Sequence, residues 1–240
     1  ESFSGLSDLT AIDGYLNLSR NYPVANLHGL ESLTFIGEGI TVERLSGLTD
    51  ITALSNVTSI GTMGPVDTRS LRIINNPRLT NLDGLENITT IESDVHAYDN
   101  DLRNVNGLSS LTSIGADLNL GGNVNLNDIS GLSNLTTIGG NVVLYHTALT
   151  NLDDLNNLTA IGGYLYLFNN PHLTDLSGLS NLATMGDRLA INHPDNYTTK
   201  PPLGSPFCNA VSETGTGGQI SVRYWNGSAY VDVTRAQICQ

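Results

Sequence analysis

Residues 131–140, with the sequence GLSNLTTIGG, carry a phrase that recurs through most of the 240-residue chain. Residues 154–163 repeat it as DLNNLTAIGG, and further versions begin at Gly5, Gly29 and Gly107. The leucine in second place marks the register, and successive marks lie 24, 24, 31, 23, 24, 23 and 24 residues apart. An internal period of this length is typical of a solenoid. The marks are Leu6, Leu30, Leu54, Leu85, Leu108, Leu132, Leu155 and Leu179.

Each repeat has one apolar plan, which the stretch from Leu155 to Asn170 shows clearly. Leu165 and Leu167 alternate with other residues, so this part of the coil predicts a short strand. A unit of 23–24 residues cannot bury its apolar side alone, so neighbouring units must stack. The sequence therefore predicts an all-β, right-handed parallel β-solenoid of about eight coils over residues 1–194, with ladders about 4.8 Å apart. The one long interval predicts a loop near residues 62–68.

An asparagine ends the phrase Leu-x-Leu-x-x-Asn in most coils. Because an amide both donates and accepts hydrogen bonds, we expect these residues to form an inward ladder between coils. Leu45, Thr147 and Pro194 replace the asparagine in three coils, where we expect the ladder to be interrupted. The asparagines are Asn21, Asn76, Asn100, Asn123 and Asn170.

The full phrase, Leu-x-x-Leu-Thr-x-Ile-Gly-Gly-x-Leu-x-Leu-x-x-Asn, resembles the leucine-rich-repeat-like receptor L-domain. That domain is the β-helical ligand-binding module of growth-factor and insulin receptors, and it also occurs in fungal cell-wall proteins and secreted bacterial surface proteins. The resemblance covers residues 5–194 and is specific for the fold, not for a ligand. The sequence contains neither the cysteine-rich modules of animal receptors nor a kinase. The resemblance thus implies a secreted or cell-surface recognition protein rather than a receptor.

The segment 195–240 departs from the repeat. Residues 219–224 and 229–233 alternate like strands around Asn226-Gly227, which is a strong hairpin signal. We interpret the segment as a β-rich cap over the last coil, because the open end of a solenoid needs cover. An independent binding or anchoring unit is the alternative. Cys208 and Cys239 are expected to form a disulfide that closes this segment, with two free thiols as the alternative.

The negative net charge of the chain argues against some classes of binding partner. The chain has 10 Lys and Arg against 23 Asp and Glu, for a net charge of −13, and Lys200 is its one lysine. So few cations cannot neutralise many phosphates, which argues against nucleic acid and an anionic membrane surface. No apolar run is long enough for membrane insertion, and the polar start predicts a mature or trimmed form. The first repeat begins at Gly5 with no evident cap, so head-to-tail association of the chain with itself is one hypothesis.

No catalytic constellation is evident, and we expect neither enzymatic activity nor a cofactor. The five histidines lack metal-ligand spacing, and Asp99-Asn100-Asp101 lacks the glycine and distant glutamate of an EF-hand loop, so no metal site is predicted. Asp94 and Asp117 should be neighbours in adjacent coils. This single carboxylate pair has no recognisable general acid beside it.

The outward face of the predicted long strands is the best candidate for binding. Alternate strand residues point outward, which brings several large side chains together on the strand face of coils six to eight. Exposed aromatic clusters usually mark contact surfaces. Such a strip could stack on sugar rings or receive a protein, or else it could be covered internally by the C-terminal segment or by cross-strand packing. The candidates are Val143, Tyr145, Tyr164, Tyr166 and Phe168, with Tyr98 and Arg188 nearby on the same face.

A threonine recurs in the phrase Leu-Thr-x-Ile of seven coils. Such a row resembles those of solenoid ice-binding proteins, but its neighbouring column is irregular, and a β-branched strand residue is the simpler explanation. The function indicated by the sequence is non-catalytic extracellular recognition or adhesion towards a glycan or protein. A structural surface or filament subunit that assembles through solenoid ends and cap is the alternative. The row comprises Thr10, Thr34, Thr58, Thr89, Thr112, Thr136 and Thr159.

Overall fold

The computed structural model describes residues 3–20, 24–61, 70–186, 189–192, 222–225 and 230–233. Each predicted coil contributes one strand to a single long sheet, in which neighbouring coils pair in parallel. Eight strands one coil apart span seven turns, so the predicted β-solenoid is confirmed. With strands numbered in chain order, these are β2 (Leu16–Ser19), β4 (Ile40–Glu43), β6 (Leu71–Ile74), β8 (Val95–His96), β10 (Leu118–Asn119), β12 (Val142–Tyr145), β14 (Leu165–Phe168) and β16 (Leu189–Asn192).

Shorter strands form a second side of the solenoid from the phrase Leu-Thr-x-Ile. They make two parallel sheets, one of three strands and one of five. The break between these sheets falls at the long interval of the repeat, and the loop predicted near residues 62–68 lies outside the described part of the chain. The first sheet contains β1 (Ala11–Ile12), β3 (Phe35–Ile36) and β5 (Ser59–Ile60); the second contains β7 (Thr90–Ile91), β9 (Ser113–Ile114), β11 (Thr137–Ile138), β13 (Ala160–Ile161) and β15 (Thr184–Met185).

Short 3-10 helices carry the register leucine in six coils. In each coil from the second to the eighth, an asparagine or aspartate side chain accepts the backbone N–H two residues later, as Asp128 does from Ser130 at 2.9 Å. This Asx turn starts the bend into the register leucine. The helices are Ser4–Leu6, Thr52–Leu54, Asn106–Leu108, Ser130–Leu132, Asp153–Leu155 and Ser177–Leu179.

One continuous core of leucine, isoleucine and valine runs along the solenoid axis. The register leucines of the second to eighth coils are at most 1% exposed, whereas Leu6 in the first coil is 43% exposed. Leu9, Ile12 and Leu16 of the same coil are only partly buried. Stacking therefore buries each coil between two neighbours, and the first coil has such a neighbour on one side within the described residues.

The inward asparagine ladder is confirmed. The Asn76 amide donates to the Val42 carbonyl at 3.0 Å and to Asn100 Oδ1 at 3.1 Å, while its own oxygen accepts the Leu45 backbone N–H at 3.0 Å. In the sixth coil the ladder continues on one side, because the Thr147 hydroxyl donates to Asn170 Oδ1 at 2.8 Å. On the other side, the hydrogen bonds found for Asn123 among the described residues do not include Thr147, which agrees with the expected interruption. A hydroxyl reaches the acceptor of the next coil as well as an amide does. Asn21 and Pro194 lie outside the described residues.

The chain turns out of the first seven strands of the long sheet through a residue with left-handed backbone. Asp99 (φ 56°), His146 (φ 52°) and Asn169 (φ 51°) occupy this position in three coils, and Gly122 (φ 71°) does so in the fifth. Asparagine and aspartate tolerate this conformation better than other residues with a Cβ. The turn places their side chains at the border of the long sheet.

Beyond β16, the long sheet continues with β17 (Val222–Trp225) and β18 (Tyr230–Val233). β17 pairs with β16 in parallel and with β18 antiparallel, as expected for the two strands around Asn226-Gly227. Cys208, Cys239 and the boundary near residue 194 lie outside the described residues, so the disulfide and the division into solenoid and cap remain predictions. Where the chain is described, no helix has the length and apolar character to cross a bilayer.

Replacing Asp154 by asparagine is expected to raise the free energy of unfolding at pH 7 by about 0.5 kcal/mol or less. Burial, together with Asp128 and Asp153, raises the pKa of Asp154, so its ionised form opposes folding. That cost is absent below the pKa of the unfolded chain, about 3.9, and appears as the pH rises. Thermal denaturation at pH 3 and 7 measures it. A gain equally large at pH 3, or an equal gain from Asp8→Asn on the exposed first coil, would contradict this explanation.

Candidate functional site

The outer face of the long sheet carries the predicted binding residues. Buried valine and leucine residues alternate with half-buried outward residues along β12 and β14, as the period of two requires. Val143 pairs with Tyr166, and Tyr145 pairs with Phe168. We call Val143, Tyr145, Tyr164, Tyr166 and Phe168 the aromatic strip. The structure brings all five together on adjacent strands.

Nearer the first coil, the same face is less open than the alternation predicts. Thr41 is buried, and its hydroxyl hydrogen-bonds to the Tyr15 hydroxyl from the neighbouring coil. Ser70 and Ile74, which also occupy outward positions, are buried as well. The outward positions of the second and third coils are therefore mostly closed, whereas Tyr15 and Asn17 of the first coil are exposed and the outward side chains from the fourth coil onward are half-buried.

The rings of the aromatic strip stand against one another and do not form a flat platform. Tyr166 and Phe168 are stacked, with ring centroids 4.3 Å apart and planes inclined by 2°. Tyr164 meets Tyr166 edge to face, with centroids 6.5 Å apart. Packing between neighbouring residues along β14 thus helps to half-bury the rings, while cover by cross-strand packing or by the C-terminal segment stays a hypothesis. The part of the strip that reaches solvent is a set of ring edges and outer faces with fixed spacing.

Tyr145 lies across Gly121 of the preceding coil. A Cβ atom added to Gly121 would stand 2.0 Å from the Tyr145 ring, so glycine is required there for the ring to lie flat. The Tyr145 hydroxyl donates to Asp99 Oδ1 at 3.5 Å. Burial first, and then the Asp99 charge, raise the pKa of Tyr145, which therefore stays neutral and polar at physiological pH.

A groove runs beside the aromatic strip, and three of its lining residues were not singled out in the sequence. They are His146, Asn169 and Ala190. The Asn169 amide hydrogen-bonds to His146 Nε2 at 2.9 Å, which joins the turns of two coils. Both residues hold the left-handed turn position after a strand, so the turn column was the available signal. The groove therefore combines an apolar wall with a polar border.

A polar column runs along the other border of the long sheet, where each strand begins. We call it the entry column; its side-chain oxygens accept backbone N–H groups of the next coil. Asp94 Oδ1 accepts from Asp117 at 3.0 Å, Asp117 Oδ1 from Asn141 at 2.7 Å, and Asn141 Oδ1 from Tyr164 at 3.0 Å. The expected contact between Asp94 and Asp117 is confirmed. The column leads directly into the aromatic strip at Tyr164.

His96 lies beside this pair, a neighbour that the sequence reasoning missed. Asp94, His96 and Asp117 place ligand atoms within 4.8 Å of one another. Arg72, however, donates to His96 Nδ1 at 2.9 Å. Burial is the largest cause that lowers the pKa of His96, and Arg72 lowers it further while Asp94 and Asp117 oppose this. The ring is therefore neutral, but its Nδ1 lone pair is already used by Arg72, so it is poorly prepared to bind a metal ion.

The remaining predicted binding residues are less central. Tyr98 follows β8 and meets His96 edge to face at 6.0 Å, two strands away from Tyr145. It flanks the aromatic strip but is not part of the groove. Arg188 lies outside the described residues.

Hydroxyl groups of the threonine row hydrogen-bond to backbone carbonyls of the preceding coil. The Thr136 hydroxyl donates to the Thr112 carbonyl at 3.0 Å, and four other threonines of the row make the same contact with the coil before them. These donors are engaged with backbone between coils. The arrangement explains why a hydroxyl-bearing, β-branched residue recurs there.

Comparison with known families gives one match. A family model described as BspA type leucine rich repeat region matches residues 73–193 in six copies, which is just over half of the chain. A comparison with curated proteins gives no match. The matched region contains the strands that carry the aromatic strip and the entry column.

Proposed function

The chain belongs to the BspA-type leucine-rich-repeat family, and from that premise we propose that it is a non-catalytic recognition or adhesion protein that binds a protein partner. Repeats of this type commonly mediate protein interaction or adhesion, and such proteins are often secreted or at the cell surface. The proposal includes an extracellular location and the narrower kinship with receptor L-domains. It assigns no cofactor and no catalytic residue to the chain.

The observation that carries the proposal is the aromatic strip and its groove. Tyrosine and other aromatic residues dominate the energetic centres of protein interfaces. A sugar ring stacks best on an open, flat aromatic face, whereas Tyr166 and Phe168 already stack on each other. The ring edges and the adjoining groove suit a partner side chain that enters the groove and packs against those edges. This geometry supports a protein partner over a glycan.

A filament subunit is the second candidate, because the first coil leaves apolar side chains open. Leu6 is 43% exposed, whereas Leu30, its counterpart one coil later, is fully buried. Such an exposed apolar surface could stack on another copy. Electron microscopy of the purified chain distinguishes the candidates: single particles support recognition, and ordered polymers support the filament. Ice binding through the threonine row is less favoured, since its hydroxyls already donate to backbone; a thermal-hysteresis measurement would test it.

Truncating Tyr166 to alanine is expected to weaken protein binding by at least about tenfold, because it removes the ring at the centre of the strip. A displayed library of random peptides, selected on the wild-type chain, supplies the probes. The affinities of the selected peptides are then measured for Tyr166→Ala and for Thr136→Ala, which changes a different column of the solenoid.

Equal binding of the selected peptides by the wild type and Tyr166→Ala would contradict the proposal. Circular dichroism controls for folding of both variants. A glycan array provides the alternative outcome: binding of a sugar that is lost in Tyr166→Ala would overturn the choice of a protein partner.

A further inference from the structure

The entry column carries negative charge that the fold does not need. Asp94 and Asp117 each accept a backbone N–H from the next coil, but Asn141 makes the same contact one coil later with a neutral amide. Ser70 occupies the position one coil earlier. An asparagine could therefore make the same backbone contact at either aspartate, although Asp117 also accepts the Asn141 side-chain amide on both oxygens and Asp94 accepts the Ser70 hydroxyl at 3.4 Å. All of these donors are neutral, and two adjacent carboxylates repel each other.

No cation of the described structure neutralises this pair. The ion pairs found among the described residues are His28–Glu31 and Glu43–Arg44, both on other coils. Arg72, the nearest guanidinium, donates to His96 Nδ1 instead of to a carboxylate. The pKa of His96 is lowered, so the imidazole adds no positive charge at neutral pH. Among the described residues, two half-buried carboxylates thus lie beside the aromatic strip without an ion-pair partner.

The chemistry of this site favours a cationic side chain over a metal ion. A neutral imidazole that accepts from Arg72 at Nδ1 carries its proton on Nε2, so neither nitrogen offers a lone pair unless that contact breaks. A guanidinium or ammonium group needs only acceptors, and carboxylates provide them. The choice also agrees with the net charge of −13, which attracts basic partners.

The spacing between the carboxylates and the groove suits one short segment. Asp94 and Asp117 belong to the fourth and fifth coils, whereas Val143 and Tyr166 belong to the sixth and seventh. With strands about 4.8 Å apart, the two regions are separated by about 10 Å, and an extended peptide covers that distance in about three residues.

We infer that the partner docks through an apolar or aromatic side chain in the groove of the aromatic strip and an arginine or lysine about three residues away, on Asp94 and Asp117. The inference rests on the proposed function and specifies the partner chemistry for the same face. The partner is a protein segment with a basic-aromatic pattern. The aromatic anchor supplies buried area, and the cation supplies orientation along the solenoid.

Two peptides test the inference: acetyl-Trp-Ser-Ser-Arg-amide, and the same peptide with citrulline, a neutral analogue of arginine. Titration of the isotope-labelled full chain, followed by NMR, should show about fivefold tighter binding of the arginine peptide. That advantage should disappear in the Asp94→Asn/Asp117→Asn variant and shrink at high salt. Asp128→Asn is the matched control, because Asn104 and Asn151 hold the same turn position in other coils.

The outcomes separate the two proposals. Equal affinities of the two peptides, both weakened by Tyr166→Ala, would overturn the basic partner and leave the proposed function standing. Binding of neither peptide would count against both. Titration with Zn²⁺ or Ca²⁺ alone provides the third arm: saturable binding at micromolar concentration that requires Asp94, His96 and Asp117 would overturn the side-chain cation in favour of a metal.

Discussion

Replacing Asn123 by aspartate is expected to lower the free energy of unfolding by about 3–5 kcal/mol. Asn123 is fully buried in the inward ladder. Its amide donates to the carbonyls of Ala97 and Leu120 at 2.8 and 2.7 Å. An aspartate of the same shape loses both donors and places a carboxylate against two carbonyl oxygens. A buried charge without a partner is among the most damaging single changes.

Asn127→Asp is the matched control, because it adds the same charge to an exposed position of the same coil. Its effect is expected to stay within about 0.5 kcal/mol. Urea denaturation of the wild type and both variants, followed by circular dichroism, measures the difference. If Asn123→Asp were no less stable than Asn127→Asp, the ladder would not contribute to stability as its hydrogen bonds indicate.

The second large effect is expected from Leu132→Ala, which should cost about 2–5 kcal/mol. Leu132 ends the 3-10 helix Ser130–Leu132 and is 1% exposed. Removing its side chain leaves a cavity between the coils above and below, and the stacked backbone cannot collapse into it. Stability in a solenoid comes largely from such contacts between neighbouring repeats.

The same tripeptide, Ser-Gly-Leu, forms the 3-10 helix Ser4–Leu6 of the first coil, so Leu6→Ala is an internal control with identical local sequence. Because Leu6 is 43% exposed, its truncation should cost less than about 1.5 kcal/mol. Guanidinium denaturation compares the two variants. Equal losses at both positions would mean that a partner buries Leu6 in solution, which would favour the filament hypothesis.

Much of the solenoid could be predicted from the sequence because its information is periodic. The intervals between register leucines correspond to the strand pairing, so that Leu165, for example, pairs with Val142 and Leu189. The aromatic strip followed from the same register, since alternate strand residues face outward. Because the repeats stack on one another, residues that are one repeat apart in the sequence are neighbours in the structure.

The polar columns could be predicted less well. Asn134 belongs to an exposed phrase that recurs from coil to coil. Its amide donates to the Ser109 carbonyl of the preceding coil at 2.8 Å. Asn56, Asn87, Asn157 and Asn181 repeat this contact. Their acceptors lie 24–32 residues earlier in the chain. The sequence shows that such an amide recurs, but not which backbone oxygen receives it.

The candidate site, too, has some features that the sequence predicts and others that only the tertiary structure shows. The register of the repeat is enough to place Val143, Tyr166 and Phe168 on one face, and the distribution of apolar residues is enough to specify a stacked core. The stacking of Tyr166 on Phe168 depends on side-chain rotamers, and the neutral state of His96 depends on burial and on Arg72 in the coil before it. The first property arises from side-chain packing within one strand and the second from contacts between coils. In both cases packing and the local electrostatic field select among conformations that the repeat pattern does not distinguish.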